Sequence, residues 1–407
     1  MSAEYVIERL GRQGDGVAEG PVFVPRSLPR EVVTGAVVDG RMPEPRIVTP
    51  APDRVRAPCR HFGACGGCAL QHASDTFVAD WKQAMVREAL EGAGLEAPIR
   101  GIETSPPRAR RRAVFSGRRT KKGAVVGFHG RRSAEIVAVP ECHVISDPLR
   151  AALPALEEIV REGTSRKGEI ALTVTETAVG PDVAATGGKP LEPVLQAGLA
   201  QIAERHRLAR ISWEGEIAAL RATPRVAMGR AQVPVPPGAF LQATEAGAAA
   251  LVAAVAEATE GAKRIADLFS GCGTFALPLA ARAEVQAVEG DAALVTALEA
   301  GWREVGGLHR VSAETRDLFR RPLLPDELRG FEAVVIDPPR AGAEAQSRAL
   351  AGSDVARIAA VSCNPVTFAR DAGLLVAGGY HLDWVQVVDQ FRWSAHIELA
   401  AQFSRPG

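Results

Sequence analysis

The chain has 407 residues, 46% of them hydrophobic, and its 48 Lys/Arg balance 48 Asp/Glu. That length exceeds one ordinary domain, so two or three are expected, with a substantial core. No apolar run of about 18 residues exists to span a membrane, and Met1–Leu10, with Glu4, Glu8 and Arg9, does not read as a signal peptide, so the cytoplasm is the expected compartment.

The zero net charge hides an asymmetry. Residues 1–150 carry 23 Lys/Arg against 17 Asp/Glu, leaving 25 against 31 for the remainder. A basic front and an acidic back suggest that one part holds a polyanion and the other does different chemistry. Six cysteines (59, 65, 68, 142, 272 and 363) in a cytosolic chain point to metal or catalysis before disulfides.

In chain order, residues 2–50 read as five short strands: Tyr5–Ile7, Gly16–Ala18, Val22–Val24, Glu31–Val38 and Arg46–Val48. Gly14-Asp15-Gly16 and Asp39-Gly40 supply turns. Five strands in this length suit either an OB-like barrel, a shape used on single-stranded nucleic acid, or a β-module without a ligand. Prolines 43, 45, 50, 52 and 58 then mark a linker.

Cys59-Arg-His-Phe-Gly-Ala-Cys65-Gly-Gly-Cys68 follows, and Gly66-Gly67 lets the backbone wrap so that several thiols face one centre. Cys142, in Val-Pro-Glu-Cys-His, is the obvious fourth ligand. Four cysteines suit an iron–sulfur cluster or structural zinc, and His61, His72 or His143 are further zinc candidates. Asp75–Leu90 has helical spacing and is expected to pack beside this site. Between residues 108 and 132 stand ten Lys/Arg and no Asp/Glu. Ala113–Phe115 and Ala124–Phe128 interleave there as strands, so a cationic hairpin suited to phosphate backbones is expected.

Residues 150–235 read as an α/β middle domain: helices at Leu149–Glu162 and Leu191–Arg207, strands at Glu169–Thr175, Ala209–Glu214 and Arg225–Ala227. From about Phe240 the pattern becomes regular. An Ala-rich helix (Thr244–Thr259) precedes strand, glycine turn and helix over Arg264–Ala280. Strands follow at Glu284–Glu289, His309–Ala313, Phe331–Asp337 and Ile358–Val361, with helices at Asp291–Glu304 and Gln346–Leu350. Alternating β and α implies a doubly wound parallel sheet. Tyr380–Gln390 and His396–Phe403 read as a closing antiparallel pair.

The chemistry-bearing residues cluster at the strand ends. Asp267-Leu-Phe-Ser-Gly-Cys-Gly273 is a nucleotide-binding turn, and Glu289, about 20 residues on, is placed to accept ribose hydroxyls. Asp317 lies at the adenine edge or simply caps a turn. Asp337-Pro-Pro-Arg340 is a stiffened loop that ends a strand. Cys363 follows a strand and faces the start of a helix, where free N–H groups favour a thiolate; the bland alternative is a small buried hydrophobe. Glu398, among apolar neighbours, is either buried with a raised pKa or exposed.

Gly238-Ala-Phe-Leu-Gln242, Asp267–Phe275, Ile336–Arg340, Ser362–Asp371 and His396–Glu398, in this order, resemble the RNA 5-methyluridine methyltransferases. Upstream, Gly14-Asp-Gly-Val-Ala resembles the TRAM barrel of some members, and Cys59, Cys65, Cys68 and Cys142 resemble their iron–sulfur ligand set. The resemblance implies a Rossmann-like class I methyltransferase domain over 240–407, a TRAM/OB-like barrel over 1–53 and a cysteine-ligated middle over 59–239. It implies S-adenosylmethionine as cofactor and a four-iron, four-sulfur cluster. By the same resemblance Cys363 is the nucleophile and Glu398 the base, while Gln242, Phe269, Thr274, Glu289, Asp317 and Asp337 meet the cofactor or the target base. Thr274 stands where the family commonly has Asn, and Phe391-Arg-Trp-Ser-Ala lacks the usual His-Thr. Barrel and cluster together resemble the members acting on 23S rRNA more than those acting on tRNA; a monomer is expected. Rival readings are an amino-methylating enzyme using Asp337-Pro-Pro, a cytosine methylase, and a non-catalytic RNA-binding protein with a cluster.

Overall fold

The computed structural model describes residues 3–405. Strands β1 (Glu4–Leu10), β2 (Gly16–Ala18), β3 (Val22–Val24), β4 (Val32–Thr34) and β5 (Arg46–Thr49) form one antiparallel sheet in the order β3-β2-β1-β4-β5. Among the described residues no ladder joins β3 to β5, so the sheet does not close into the expected barrel; Phe23 of β3 instead bridges Arg41 in the connection between β4 and β5. Ile7, Val24, Val33 and Met42 fill its interior.

Helix α1 (Asp75–Glu91) starts at Ser74, whose hydroxyl accepts the Phe77 N–H. Its first half packs beside the cysteine loop as expected, Phe77, Val78 and Trp81 clustering with Ala69 and Leu70 directly after Cys68; its far end goes elsewhere. Val86 and Leu90 are buried in the core of the C-terminal sheet, because the strand that follows, β6 (Ile99–Thr104), joins that sheet at its edge.

A second sheet gathers β7 (Arg112–Thr120), β8 (Gly123–His129), β9 (Ile136–Ala138), β10 (Glu169–Thr175), β11 (Asp182–Thr186), β12 (Arg210–Trp213) and β13 (Glu216–Leu220), in the order β13-β12-β11-β10-β7-β8-β9. Helices α2 (Asp147–Ala151), α3 (Leu153–Gly163) and α4 (Pro193–Arg205) belong to this unit, and Leu149, Leu156, Ile159 and Leu199 are buried in its core. A small hairpin, β14 (Arg225–Met228) with β15 (Ala231–Pro234), leads onward.

The C-terminal part runs α5 (Glu245–Ala258), β16 (Arg264–Leu268), α6 (Ala276–Leu279), β17 (Glu284–Glu289), α7 (Ala292–Glu304), β18 (Val311–Thr315), β19 (Ala333–Ile336), α8 (Glu344–Ala351), β20 (Arg357–Ser362), α9 (Pro365–Ala377), β21 (His381–Asp389) and β22 (Glu398–Ser404). Its eight-stranded sheet has the order β18-β17-β16-β19-β20-β22-β21-β6. The first five are parallel, and β22 is inserted antiparallel between β20 and β21. Continuous apolar runs such as Ala333–Ile336, buried throughout, are what a strand covered on both faces requires. The cores of the two faces take residues from α5, α6 and α7 on one side and from α1, α8 and α9 on the other. Successive strands run outward in opposite directions from β16 and β19, which opens a crevice at their carboxyl ends.

Candidate active site

That crevice holds a cavity of about 770 Å³. Gln242, Phe269, Thr274, Glu289, Asp317, Asp337, Cys363 and Glu398 all line it, so the eight side chains named from the sequence meet at one place.

The turn after β16 shapes its floor. Phe269 (φ 61°), Gly271 (φ 55°) and Gly273 (φ 100°) have left-handed backbones, which brings main-chain N–H groups to the surface of the turn. Gly271 N–H donates to Glu289 Oε2 at 3.0 Å, and Asp291 N–H donates to Oε1 at 2.9 Å. Glu289, ending β17, is thereby held with its carboxylate at the cavity wall. Asp317, after β18, is exposed and accepts the N–H groups of Phe319 and Arg320. It caps a turn, as one of its two readings expected, and it also lines the cavity. Phe319 tilts against Phe269 with ring centres 5.3 Å apart, giving a flat apolar edge.

Asp267, fully buried beneath the turn, has a carboxyl raised well above its usual range by burial and then by Asp337. Asp337 itself is pushed up to about 7 by burial. Glu398 is 4% exposed and rises to about 8, through burial first and then the Asp337 charge, with the Gln390 amide pulling it back. Of the two readings of Glu398, the buried one is correct.

Cys363 is half-buried between β20 and α9. The β20–β22 ladder ends where Ser362 pairs with Leu399; Cys363 and Glu398 are the next residues on either chain, and both line the cavity. Asn364 caps α9 by accepting the Val366 N–H, and its Nδ2 donates to Arg340 O at 3.1 Å. The loop after β19 is thus tied to the loop carrying the thiol. The helix start does not make a resting thiolate here, as the sequence reading expected. Burial, Glu398 and Asp337 together raise Cys363 to about 11, against a smaller downward pull from Arg340. Burial, with two carboxyl groups behind it, outweighs what Arg340 and the main chain offer the thiolate.

Side chains that the sequence reading missed complete the wall. Phe240, 63% exposed, covers the mouth, with the Arg112 guanidinium 5.8 Å from its ring centre. Arg112 also donates to the carbonyls of Ala239 and Gly238, and Arg111 to that of Gln242. Arg110 lies 5.2 Å from the ring of Phe391, another lining residue. Three charges of the basic run are therefore spent holding the cavity's loop. Arg118 pairs with Glu169, and Arg131 and Arg132 pair with Asp15. Arg108, Arg119, Lys121 and Lys122 carry no ion pair among the described residues and form the free cationic surface. The alternation of charge and strand held no sign of which would turn inward.

A separate cavity of about 80 Å³ is lined by Cys59, Cys65, Cys68 and Cys142, with His61 and Arg110. All four thiols are free. His72 and His143 do not line it; His72 stacks on Phe62 instead. A side chain at Gly66 would stand 2.8 Å from His129 O, so only glycine lets the loop close over the cavity. Arg110 Nε is buried without a hydrogen-bond partner, an arrangement that suits an anionic group among the thiols. Even so, no group of three or more His, Cys, Asp or Glu among the described residues is drawn together closely enough to hold a metal ion. The expected ligands thus border one cavity without forming a closed coordination shell.

No helix among the described residues is long and apolar enough to cross a membrane. Residues 201–405 match the tRNA (Uracil-5-)-methyltransferase family. An uncharacterized RNA methyltransferase of Brucella suis biovar 1 is 43% identical, over 99% of this chain and 98% of that protein. The 23S rRNA (uracil(1939)-C(5))-methyltransferase RlmD of Pseudomonas putida is 34% identical, over 98% of this chain and 92% of that one. In fold, the chain is similar to the tRNA (uracil-54, C5)-methyltransferase of Pyrococcus abyssi, solved with S-adenosyl-L-homocysteine. The TM-score is 0.79, at 24% identity and with 98% and 99% of the two chains covered. A strand-end cavity with a glycine turn and a carboxylate at its wall, together with an RNA-modifying kinship, leads to one conclusion: the chain belongs to the RNA uracil-5 methyltransferase family and is an S-adenosylmethionine-dependent RNA methyltransferase.

Proposed function

We propose that the protein methylates carbon-5 of one uridine in 23S rRNA, through a transient bond between Cys363 and carbon-6 of the ring. The observation that carries this reading is that Cys363 and Glu398 line one cavity with Glu289 and Asp337, with Glu398 near enough for its charge to act on the thiol. Uracil carbon-5 is a weak nucleophile. Addition of the Cys363 sulfur to carbon-6 moves an electron pair to carbon-5 and the 4-oxygen, so that carbon-5 can attack an electrophile.

The sulfonium cofactor supplies that electrophilic methyl group and one positive charge. Gln242, Phe269, Thr274, Glu289, Asp317 and Asp337 are the side chains we assign to holding it or the neighbouring base. With a cation nearby, the carboxyls and the thiol that burial keeps protonated ionise more readily, and Cys363 gives its proton to solvent. After methyl transfer the Glu398 carboxylate takes the carbon-5 proton, the carbon-5–carbon-6 double bond re-forms, and the Cys363 thiolate leaves. The target must be flipped from its stack for the sulfur to reach carbon-6. Residues 1–53 are read as the TRAM-like RNA-binding unit, 59–239 as the cysteine-ligated unit and 240–407 as the catalytic unit. Arg108, Arg119, Lys121 and Lys122 would grip phosphates.

The cavity bordered by Cys59, Cys65, Cys68 and Cys142 is read as the seat of an iron–sulfur cluster that braces the Arg110 segment. Iron and sulfide assayed after anaerobic purification test that part, and about four of each per chain are expected. The choice of 23S rRNA rests on the Pseudomonas relative; a tRNA uridine is the second reading. The deciding experiment is mapping of 5-methyluridine in cellular RNA with and without the gene. Loss of one 23S rRNA site supports the proposal. Loss of a tRNA site alone, or of a 5-methylcytidine, refutes it.

A further inference from the structure

We infer that Gln390, which lies outside the residues assigned above, is a positioning residue that fixes which way the Gln242 amide points and thereby selects uracil over cytosine. The inference rests on the proposed carbon-5 chemistry. Gln390 and Gln242 are 2% and 4% exposed. Ala243 N–H donates to Gln390 Oε1 at 2.8 Å. A main-chain N–H is only a donor, so the atom it meets must be the amide oxygen, and the orientation of Gln390 follows without choice. Its Nε2 then faces the other way and donates to Gln242 Oε1. The same amide lies beside Glu398 and lowers that carboxyl, as an N–H donor does. Gly247 in α5 makes the fit close, since a β-carbon there would stand 2.6 Å from Gln390 Cβ.

With its oxygen taken, Gln242 offers only the –NH2 end to the cavity it lines, and no acceptor meets that nitrogen among the described residues. The order of groups matches the order of ring atoms. Cys363 is assigned to carbon-6 and Glu398 to the carbon-5 proton. Gln242, one amide beyond Glu398, then falls at carbon-4. There uracil carries an acceptor oxygen and cytosine a donor amine. The –NH2 of Gln242 pairs with the first and opposes the second, and it also meets the charge that reaches the 4-oxygen once the sulfur has added. An amide free to flip would accept either base; the Gln390 network removes that freedom.

The test compares kcat/KM of the full chain on transcripts with uridine or cytidine at the methylated position, for wild type, Gln390→Met and Gln390→Glu. Met keeps the length and removes the donor. Glu replaces the donor with an acceptor and invites Gln242 to turn round. The uridine-over-cytidine ratio is expected to fall at least tenfold in either variant, with S-adenosylmethionine affinity by calorimetry within twofold of wild type. A ratio within twofold of wild type in either folded variant overturns the inference, even where overall rate drops, because a purely structural role slows both substrates alike. A wild type that forms 5-methyluridine while the variants keep its ratio sinks only this inference. A wild type that forms none sinks the proposed function with it.

Discussion

Cys363 is where the proposed chemistry is most exposed to test, because its resting state runs against the usual picture of a reactive cysteine. Burial and two carboxylates raise the thiol to about 11, from 9.0 for an unperturbed one. Two units cost about a hundredfold in thiolate at neutral pH. The remaining thiolate is more basic and hence more nucleophilic; a Brønsted slope of about 0.4–0.5 returns about eightfold. Alkylation of Cys363 by iodoacetamide in the cofactor-free protein should therefore run about tenfold slower than that of an unstructured peptide thiol at pH 7.5, with the rate still climbing at pH 9.5. Glu398→Gln removes the second-largest cause of the shift and should move that climb to lower pH. The assay is time-resolved mass mapping of the Cys363 peptide, so the other five cysteines do not interfere. A rate at or above the peptide's, levelling off below pH 8.5, would refute the electrostatic account and restore the helix terminus as the controlling influence.

Other expectations follow from the same site and its supports. Cys363→Ala should abolish methyl transfer while S-adenosylmethionine still binds, and RNA carrying 5-fluorouridine should trap wild type, not the variant, as a covalent complex in denaturing gels. Glu398→Gln should accumulate an RNA–protein adduct on ordinary RNA, since departure of the sulfur waits on removal of the carbon-5 proton; equal or lower adduct than wild type would count against the base. Because Asp337 and Glu398 are raised to about 7 and about 8 when folded, the unfolded chain gives up their protons first as pH rises. Stability of the cofactor-free protein should thus fall between about pH 4.5 and 8, and Glu398→Gln should flatten that fall by up to about 4 kcal/mol in urea melts. Lys82 Nζ lies 2.6 Å from Asp389 Oδ1, with both side chains at most 2% exposed; Lys82→Met strands a buried carboxylate and should cost about 3–5 kcal/mol, much of it recovered on adding Asp389→Asn.

The C-terminal sheet was legible because each strand is a short apolar run stopped by Gly, Asp or Pro, and because its functional residues sit at those stops. Glu398 needed the structure. Its neighbours Ile397 and Leu399 fit either face of a strand, and only the insertion of β22 between β20 and β21 buries it. β6 was not read as a strand, since Ile99-Arg-Gly-Ile-Glu-Thr carries few apolar residues and finds its partner almost 290 positions away. The inward turn of Arg110, Arg111 and Arg112 was equally hidden, because their partners are main-chain carbonyls and a ring that no charge pattern announces. Gln390 carries no chemical signal of its own; its role exists only through what it touches.

The pairing of β6 with β21 has a practical corollary for anyone dissecting the molecule. A recombinant fragment begun near Phe240 would retain every residue of the cavity's carboxylate and thiol set, yet it would lay bare the nine-residue flank of His381–Asp389 and strip Val86 and Leu90 from the core. An uncovered strand of that length recruits other chains. Such a truncation should clump rather than work, and the front half of the protein is better regarded as a structural share of the enzyme than as a detachable handle for its substrate.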